Sequence, residues 1–415
     1  MLWLSAAVFA ARAFLAAAEA QSVGDCNGDG QVTVDELVTG VNIALGSESL
    51  SHCPAFDADG DGAVTVDELI LAVQSALDEG PQHAFIIATD FQTGSFGTIG
   101  LDPAHAVQGI SAQRRVASDA VVRPYGANVY IVNRFGADNV QVLDSGADFA
   151  TKTQCSTGSG SNPNDIAFAS ASKAYVPLFA QAQLLVVNPS ARADCTDFVV
   201  DHIDLGAYAD SDGIPDMSQA VVVGDRAFVS LQRLANFVPA ERGALVEIDA
   251  THDTVIKAID LTGENPFGQT KGLTVRNEAI YVSEIGKFAV NDGGLERVDL
   301  ATGVPSGFLI SEAEIGGDIT DFVLTTDTTG YAILSKADFS TAVVAFDLDQ
   351  RAVTATLLSS GTFADIELSR RGELFISDRS VEHPGVRIFR ASDNSELTSA
   401  PLNLGLPPFD ITFVR

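Results

Sequence analysis

From residue 83 onward, short apolar runs recur in a fixed order. A polar residue opens a short apolar strand, a turn follows, and a second strand carries an aromatic. The opening runs are Ser118-Asp119-Ala-Val-Val, Asn164-Asp165-Ile-Ala-Phe, Ser218-Gln219-Ala-Val-Val and Thr270-Lys271-Gly-Leu-Thr. Three more follow at Thr320-Asp321-Phe-Val-Leu, Ala364-Asp365-Ile-Glu-Leu and Phe409-Asp410-Ile-Thr-Phe. The second strands hold Tyr130, Tyr175, Phe228, Tyr281, Tyr331, Phe375 and, near the beginning, Phe85. Third strands tend to end in Asp or Asn, as at Asp102, Asp144, Asn188, Asp249, Asp299 and Asp347, and an outer fourth strand is legible at Asp253–Asp260.

The polar openers are spaced 44 to 54 residues apart. Four short strands at that period predict an all-β propeller. The count closes at seven. Asp410–Arg415 has no second strand after it, while Ala84–Asp102 has second and third strands but no first. The C-terminal segment is therefore expected to complete the first blade, leaving no exposed sheet edge. The expected fold is a seven-bladed β-propeller over residues 83–415, preceded by a small α-helical module over residues 21–80.

In that module the apolar period changes from strand-like to helical. Leu37, Val38, Val41 and Leu45 recur 32 residues later as Leu69, Ile70, Val73 and Leu77. Offsets of about three and four place each set on one helical face, and the two faces are expected to pack together. Gly46 and Gly80 stand where a helix C-terminus needs a left-handed residue.

Each helix follows a twelve-residue acidic loop of the pattern D-x-[DN]-x-D-G-x-V-T-x-x-E, Asp25–Glu36 and Asp57–Glu68. A hard cation takes six to eight oxygens on a sharply curved backbone. Asp25, Asn27 and Asp29 offer side-chain oxygens, Gln31 a carbonyl, and Glu36 a bidentate carboxylate. Asp57, Asp59, Asp61, Ala63 and Glu68 repeat the set, with Gly30 and Gly62 at the turn. Two such loops in one register predict Ca2+.

Net charge is −31, which argues against nucleic acid or an anionic membrane as partner. The loops hold only nine of the 55 carboxylates, so most acidity lies in the large domain. Residues 1–20 are apolar and end in Ala18-Glu19-Ala20, the arrangement of a secretory signal peptide. Nothing later is long and apolar enough to span a membrane, so a secreted or extracytoplasmic protein is expected. Four cysteines, an even number, then permit disulfides. Cys26–Cys53 with Cys155–Cys195 is the simplest of three pairings.

Loop followed by helix, duplicated and lacking a helix before the first loop, resembles a dockerin type I module. Glu36 and Glu68 depart from the Asp of cellulosomal dockerins, and Val34-Asp35 and Val66-Asp67 stand where those carry small hydroxylic residues. The resemblance therefore implies calcium binding and a protein partner for the module, without cohesin specificity. The repeats of the large domain resemble YVTN-repeat and quinoprotein-dehydrogenase-like propellers, which implies a ligand- or protein-binding platform. The alternative is a lactonase-like or sugar-acting hydrolase using the channel mouth.

In a propeller the polar openers would ring the channel: Asp119, Asp165, Gln219, Lys271, Asp321, Asp365 and Asp410. They read either as a mouth for a cation, carbohydrate or small molecule, or as caps on their own turns. Arg134, Arg233, Lys336 and Arg379 would share that face as solvated charges or anion ligands. Asp210-Ser-Asp212-Gly-Ile-Pro-Asp216 resembles the calcium loops of thrombospondin type 3 repeats. No catalytic residue is nominated, since the histidines share no repeat position.

Overall fold

A computed structural model of the chain describes residues 23–26, 32–58, 62–77, 83–102 and 104–414. The leader expected over residues 1–20 lies outside them, as do Asn27, Asp29, Gln31, Asp59 and Asp61. Contacts divide the chain into two compact units, with the division between Gly80 and Pro81.

The first unit contains α1 (Val34–Ala44) and α2 (Val66–Leu77). Thr33 caps α1 through a capping box with Glu36, and Gly46 follows its end at φ 72°. The core is small: Ile43, Cys53, Phe56 and Ala72, with Val23, Leu37, Leu50, Val64 and Leu69 against it. A Cys26–Cys53 disulfide ties the first loop to the segment before the second. Phe56 lies so close to α1 that a Cβ at Gly40 would sit 2.2 Å from its ring.

The helical faces differ from expectation. Val38, Val41, Leu45, Ile70 and Val73 point to solvent, whereas Glu36, Gly40, Ile43, Glu68 and Ala72 are buried. The loops set this phase. Glu36 and Glu68 must turn inward to their loops, and residues four and seven further on share their face. The apolar stripe beside them is rotated outward.

The second unit is the expected seven-bladed propeller. Six blades are four-stranded antiparallel sheets in sequential order, apart from a small hairpin, Leu234–Ala235 with Val238–Pro239, inserted in the fourth. The remaining blade is closed by the far end of the chain: Pro408–Val414 pairs with His83–Thr89, with Ile86 opposite Ile411. The second-strand aromatics are all buried. Several tyrosines also tether the next blade. Tyr130 donates to the Pro189 carbonyl, Tyr281 to that of Asp327, and Tyr331 to that of Ala391. A Cys155–Cys195 disulfide joins the outer strand of blade two to blade three. Both disulfides are the local pairing.

Candidate functional site

Of the ten expected calcium ligands, the described residues include Asp25, Glu36, Asp57, Ala63 and Glu68. Asp25, Glu36 and Glu68 are buried. Glu68 spans its loop: one carboxylate oxygen accepts from Ala58 N at 2.8 Å, the other from Thr65 N at 2.7 Å. Glu36 does the same with Cys26 N at 2.9 Å and Thr33 N at 2.7 Å. At the sixth position Gly62 has φ 87°, which a side chain would strain. Its N–H donates to Asp57 Oδ2 at 3.0 Å, curling the loop around the first ligand. Asp57 Oδ1 is buried with no hydrogen-bond partner. An orphaned carboxylate oxygen inside a loop of hard donors fits a calcium ion.

In the propeller, the polar openers form an inner ring, but a closed one. Asp321, Asp365 and Asp410 have no exposed surface, and Asp165 retains 4%. They do not simply cap their own turns. Asp165 Oδ2 accepts from Ala220 N at 3.1 Å, Asp365 Oδ2 from Ile411 N at 2.7 Å, and Asp410 Oδ2 from Val122 N at 2.6 Å. Asp321 reaches Ile366 N at 3.4 Å, and Gln219 accepts from Gly272 N. Each of these five openers thus holds the first strand of the next blade, Gln219 through the residue just before it.

Asp119 is not part of that ring. Val121 pairs with Val132 in the position where Asp321 pairs with Ile333, so blade two carries an apolar side chain at the ring site. Asp119 instead binds Arg134 at 2.6 Å. Arg123, missed in the sequence, fills the gap. Its Nε lies 2.7 Å from Asp165 Oδ1, its Nη1 3.3 Å from Asp410 Oδ2, and its Nη2 donates to the Thr270 carbonyl at 2.7 Å. Burial alone would lower its pKa, but Asp165, Asp410 and Asp365 outweigh that and push it up. The only sequence signal was an arginine facing into an otherwise apolar strand.

Across the ring, Thr270 Oγ1 lies 2.7 Å from Asp321 Oδ2 and 2.5 Å from Asp365 Oδ1. One hydroxyl hydrogen cannot serve both, so the second contact needs a carboxyl proton. Burial, then the Asp365 charge, pushes Asp321 well above the usual carboxylate range. Lys271 pairs with Glu367, and burial lowers its pKa. The channel centre is therefore filled by internally matched charges.

The basic residues of this face are also largely engaged. Arg379 donates to the Pro408 carbonyl at 2.9 Å and the Thr89 carbonyl at 3.0 Å, and its guanidinium lies 4.7 Å from the Phe91 ring centre. Arg233 donates to the Tyr208 carbonyl at 2.8 Å. Lys336 reaches the Ser359 carbonyl at 3.3 Å.

In the Asp210 loop, Asp210 accepts from Asp212 N, Asp212 from Ile214 N and Asp216 from Leu234 N. Burial raises Asp216 to about 6. Those bonds organise a turn, and among the described residues no three Asp, Glu, His or Cys side chains converge as metal ligands do. In blade five, burial, then the neighbouring Glu296, raises Glu284 to about 9, and burial raises Glu312 to about 8. Glu284 accepts from Gly263 N at 2.7 Å, fastening blade five to blade four.

Fold and sites define a seven-bladed propeller with an EF-hand-containing helical region. Residues 55–73 match the EF-hand family, which suggests calcium binding at the second loop. No curated protein matches the chain. A functionally unknown protein from Desulfotomaculum acetoxidans is 11% identical, with 80% of this chain and 99% of that one aligned at a TM-score of 0.52. AztD from Citrobacter koseri is 13% identical over 79% and 96% of the two chains at 0.49. Kuenenia stuttgartiensis hydrazine synthase is 14% identical over 66% and 76% at 0.48. At such identities the likeness concerns fold alone.

Proposed function

We propose that this chain is an exported calcium-binding protein in which a dockerin-like module docks a protein partner and the propeller serves as a binding platform. A twin apolar stripe carries the reading. Val34, Val38 and Val41 on α1 with Leu45 at its C-cap, and Val66, Ile70 and Val73 on α2, are 42–74% exposed. The two stripes repeat at the 32-residue offset of the calcium loops. Apolar side chains arrayed in that way on a folded module mark an interaction surface. Calcium held by Asp25, Asn27, Asp29, Gln31 and Glu36, and by Asp57, Asp59, Asp61, Ala63 and Glu68, would fix the helices that present them.

The two disulfides agree with an extracytoplasmic location, and no described helix is long and apolar enough to cross a membrane. The resemblance to YVTN-type repeats supports the platform. The hydrolase reading is weakened by the full burial of Asp321 and Asp365 and by their bonds to Thr270.

Calorimetric titration of the full chain with calcium should reveal two sites that Glu36→Gln with Glu68→Gln removes. Capture of a partner from the producing cells' envelope fraction should require calcium and be lost in Val38→Asp with Ile70→Asp at unchanged helicity. Absence of calcium binding would overturn the module's assignment. Turnover of a lactone or glycoside by the wild-type chain would overturn the platform.

A further inference from the structure

We infer that the channel face of the propeller binds a cationic polypeptide bearing apolar side chains, an inference that rests on the platform reading. Every blade projects a large apolar side chain from the loop joining its second and third strands. These are Phe91, Phe135, Phe179, Phe237, Phe288, Phe339 and, in blade seven, Val381. Because all blades share one strand order, these loops open on one face. Phe135 and Phe339 are 79% exposed, Phe237 83% and Val381 98%; Phe179 is half-buried.

Such exposure is not needed for packing, since each blade already buries its own second-strand aromatic. Phe91, Phe237 and Phe339 hold φ of 64°, 63° and 62°. That region is unfavourable for a bulky aromatic and free to glycine. Repetition of exposed phenylalanine at this position around the ring describes a surface, not a scatter of single apolar residues.

The charge of the same loops selects the occupant. Asp90, Glu241, Asp292, Asp338 and Glu382 are exposed there. Arg134, Arg233 and Arg379 are folded inward onto Asp119 and backbone carbonyls. Lys287 is the exposed lysine of these loops. Aromatic anchors bordered by carboxylates complement apolar and lysine- or arginine-bearing segments, and repel anionic lipid and nucleic acid. A glycan's hydroxyls can donate to these carboxylates but bring no charge to neutralise them. Anchors spread over every blade exceed the reach of one small molecule.

The test uses the full chain and three fluorescent peptides of equal length: a Lys-Leu repeat, a Lys-Ser repeat and a Glu-Leu repeat, with cellohexaose as a glycan probe. The Lys-Leu peptide should bind more tightly than the Lys-Ser peptide, and the Glu-Leu peptide should not bind. Phe135→Ser with Phe237→Ser and Phe339→Ser should weaken Lys-Leu binding by about tenfold or more, leave Lys-Ser binding unchanged, and keep the β-rich circular dichroism. Asp90→Asn with Asp338→Asn and Glu382→Gln should weaken Lys-Leu binding independently.

Equal binding of Lys-Leu and Lys-Ser peptides, or Lys-Leu binding indifferent to both variants, overturns the inference. Phenylalanine-dependent capture of cellohexaose without Lys-Leu binding overturns the polypeptide partner but leaves the platform standing. Phenylalanine-dependent turnover of a lactone or glycoside overturns the platform as well.

Discussion

The calcium module and the propeller channel both gather carboxylates into buried positions, yet they neutralise them differently. Between Gln21 and Gly80 the sequence contains no Lys or Arg. Asp57 Oδ1 is left without a hydrogen bond, and the counter-charge must come from outside. In the channel, Arg123 stands between Asp165 and Asp410, Lys271 meets Glu367, and burial beside Asp365 pushes the Asp321 pKa well up. The proposed calcium would give the first region its cation from solution; the second builds its own into the strand. Stability of the first should therefore follow metal activity, and that of the second should follow pH.

The largest effect expected is on the module. Two sites at about a hundredfold excess of calcium over Kd contribute about 2.7 kcal/mol each, most of what so small a core can offer. Chelation should abolish the helical signal near 222 nm while the propeller's unfolding midpoint stays put. Loss of both, or of neither, would break the contrast.

Next in size is Arg123→Ala, which strands Asp165 and Asp410 without their cation. Removal of one partner of a buried pair costs about 3–5 kcal/mol, readable as a lowered urea midpoint of the propeller. Arg123→Lys should recover part of that loss. A cost under about 1 kcal/mol would mean the ring is held by backbone amides alone.

A pH scan sharpens the comparison further. Glu284 and Glu312 are raised by burial to about 9 and about 8. Folding withholds their ionisation, so their contribution is complete below the unfolded value near 4.5. It is lost as pH climbs toward 8 and 9, at about 1.4 kcal/mol per pH unit per group. Propeller stability should fall from pH 5 to pH 9, and Glu284→Gln should flatten the decline. Parallel curves for the two proteins would refute the assignment.

Smallest of all, Phe135→Ser with Phe237→Ser and Phe339→Ser should change propeller stability by no more than about 0.5 kcal/mol per site. Those residues are 79–83% exposed. A large loss measured by thermal unfolding would mean they pack within the fold.

The blade count, the closure by the segment around Asp410 and the second-strand aromatics were legible because each repeats with the blade. What repetition could not supply is phase. Asp119 looked like a ring residue because a polar residue before an apolar run fits at either of two offsets; only the pairing of Val121 with Val132 decides. The stripe of Val38, Val41 and Leu45 was a true helical face, but Glu36 had already claimed the inward one. Arg123 broke no pattern, since alternate positions of a strand accept a charge. The outward phenylalanines follow loops of unequal length, so their order around the ring appears only once strands are paired.

Pairing of Pro408–Val414 with His83–Thr89 also imposes an order of events. Nearly the whole propeller must leave the ribosome before its first blade can be finished. Until then the strand containing Phe85 has one bare edge and the ring remains an open arc. The ring locks only after the final strand arrives. The latch at the seam thus works as a clock, deferring completion of the ring until synthesis of the propeller is nearly over.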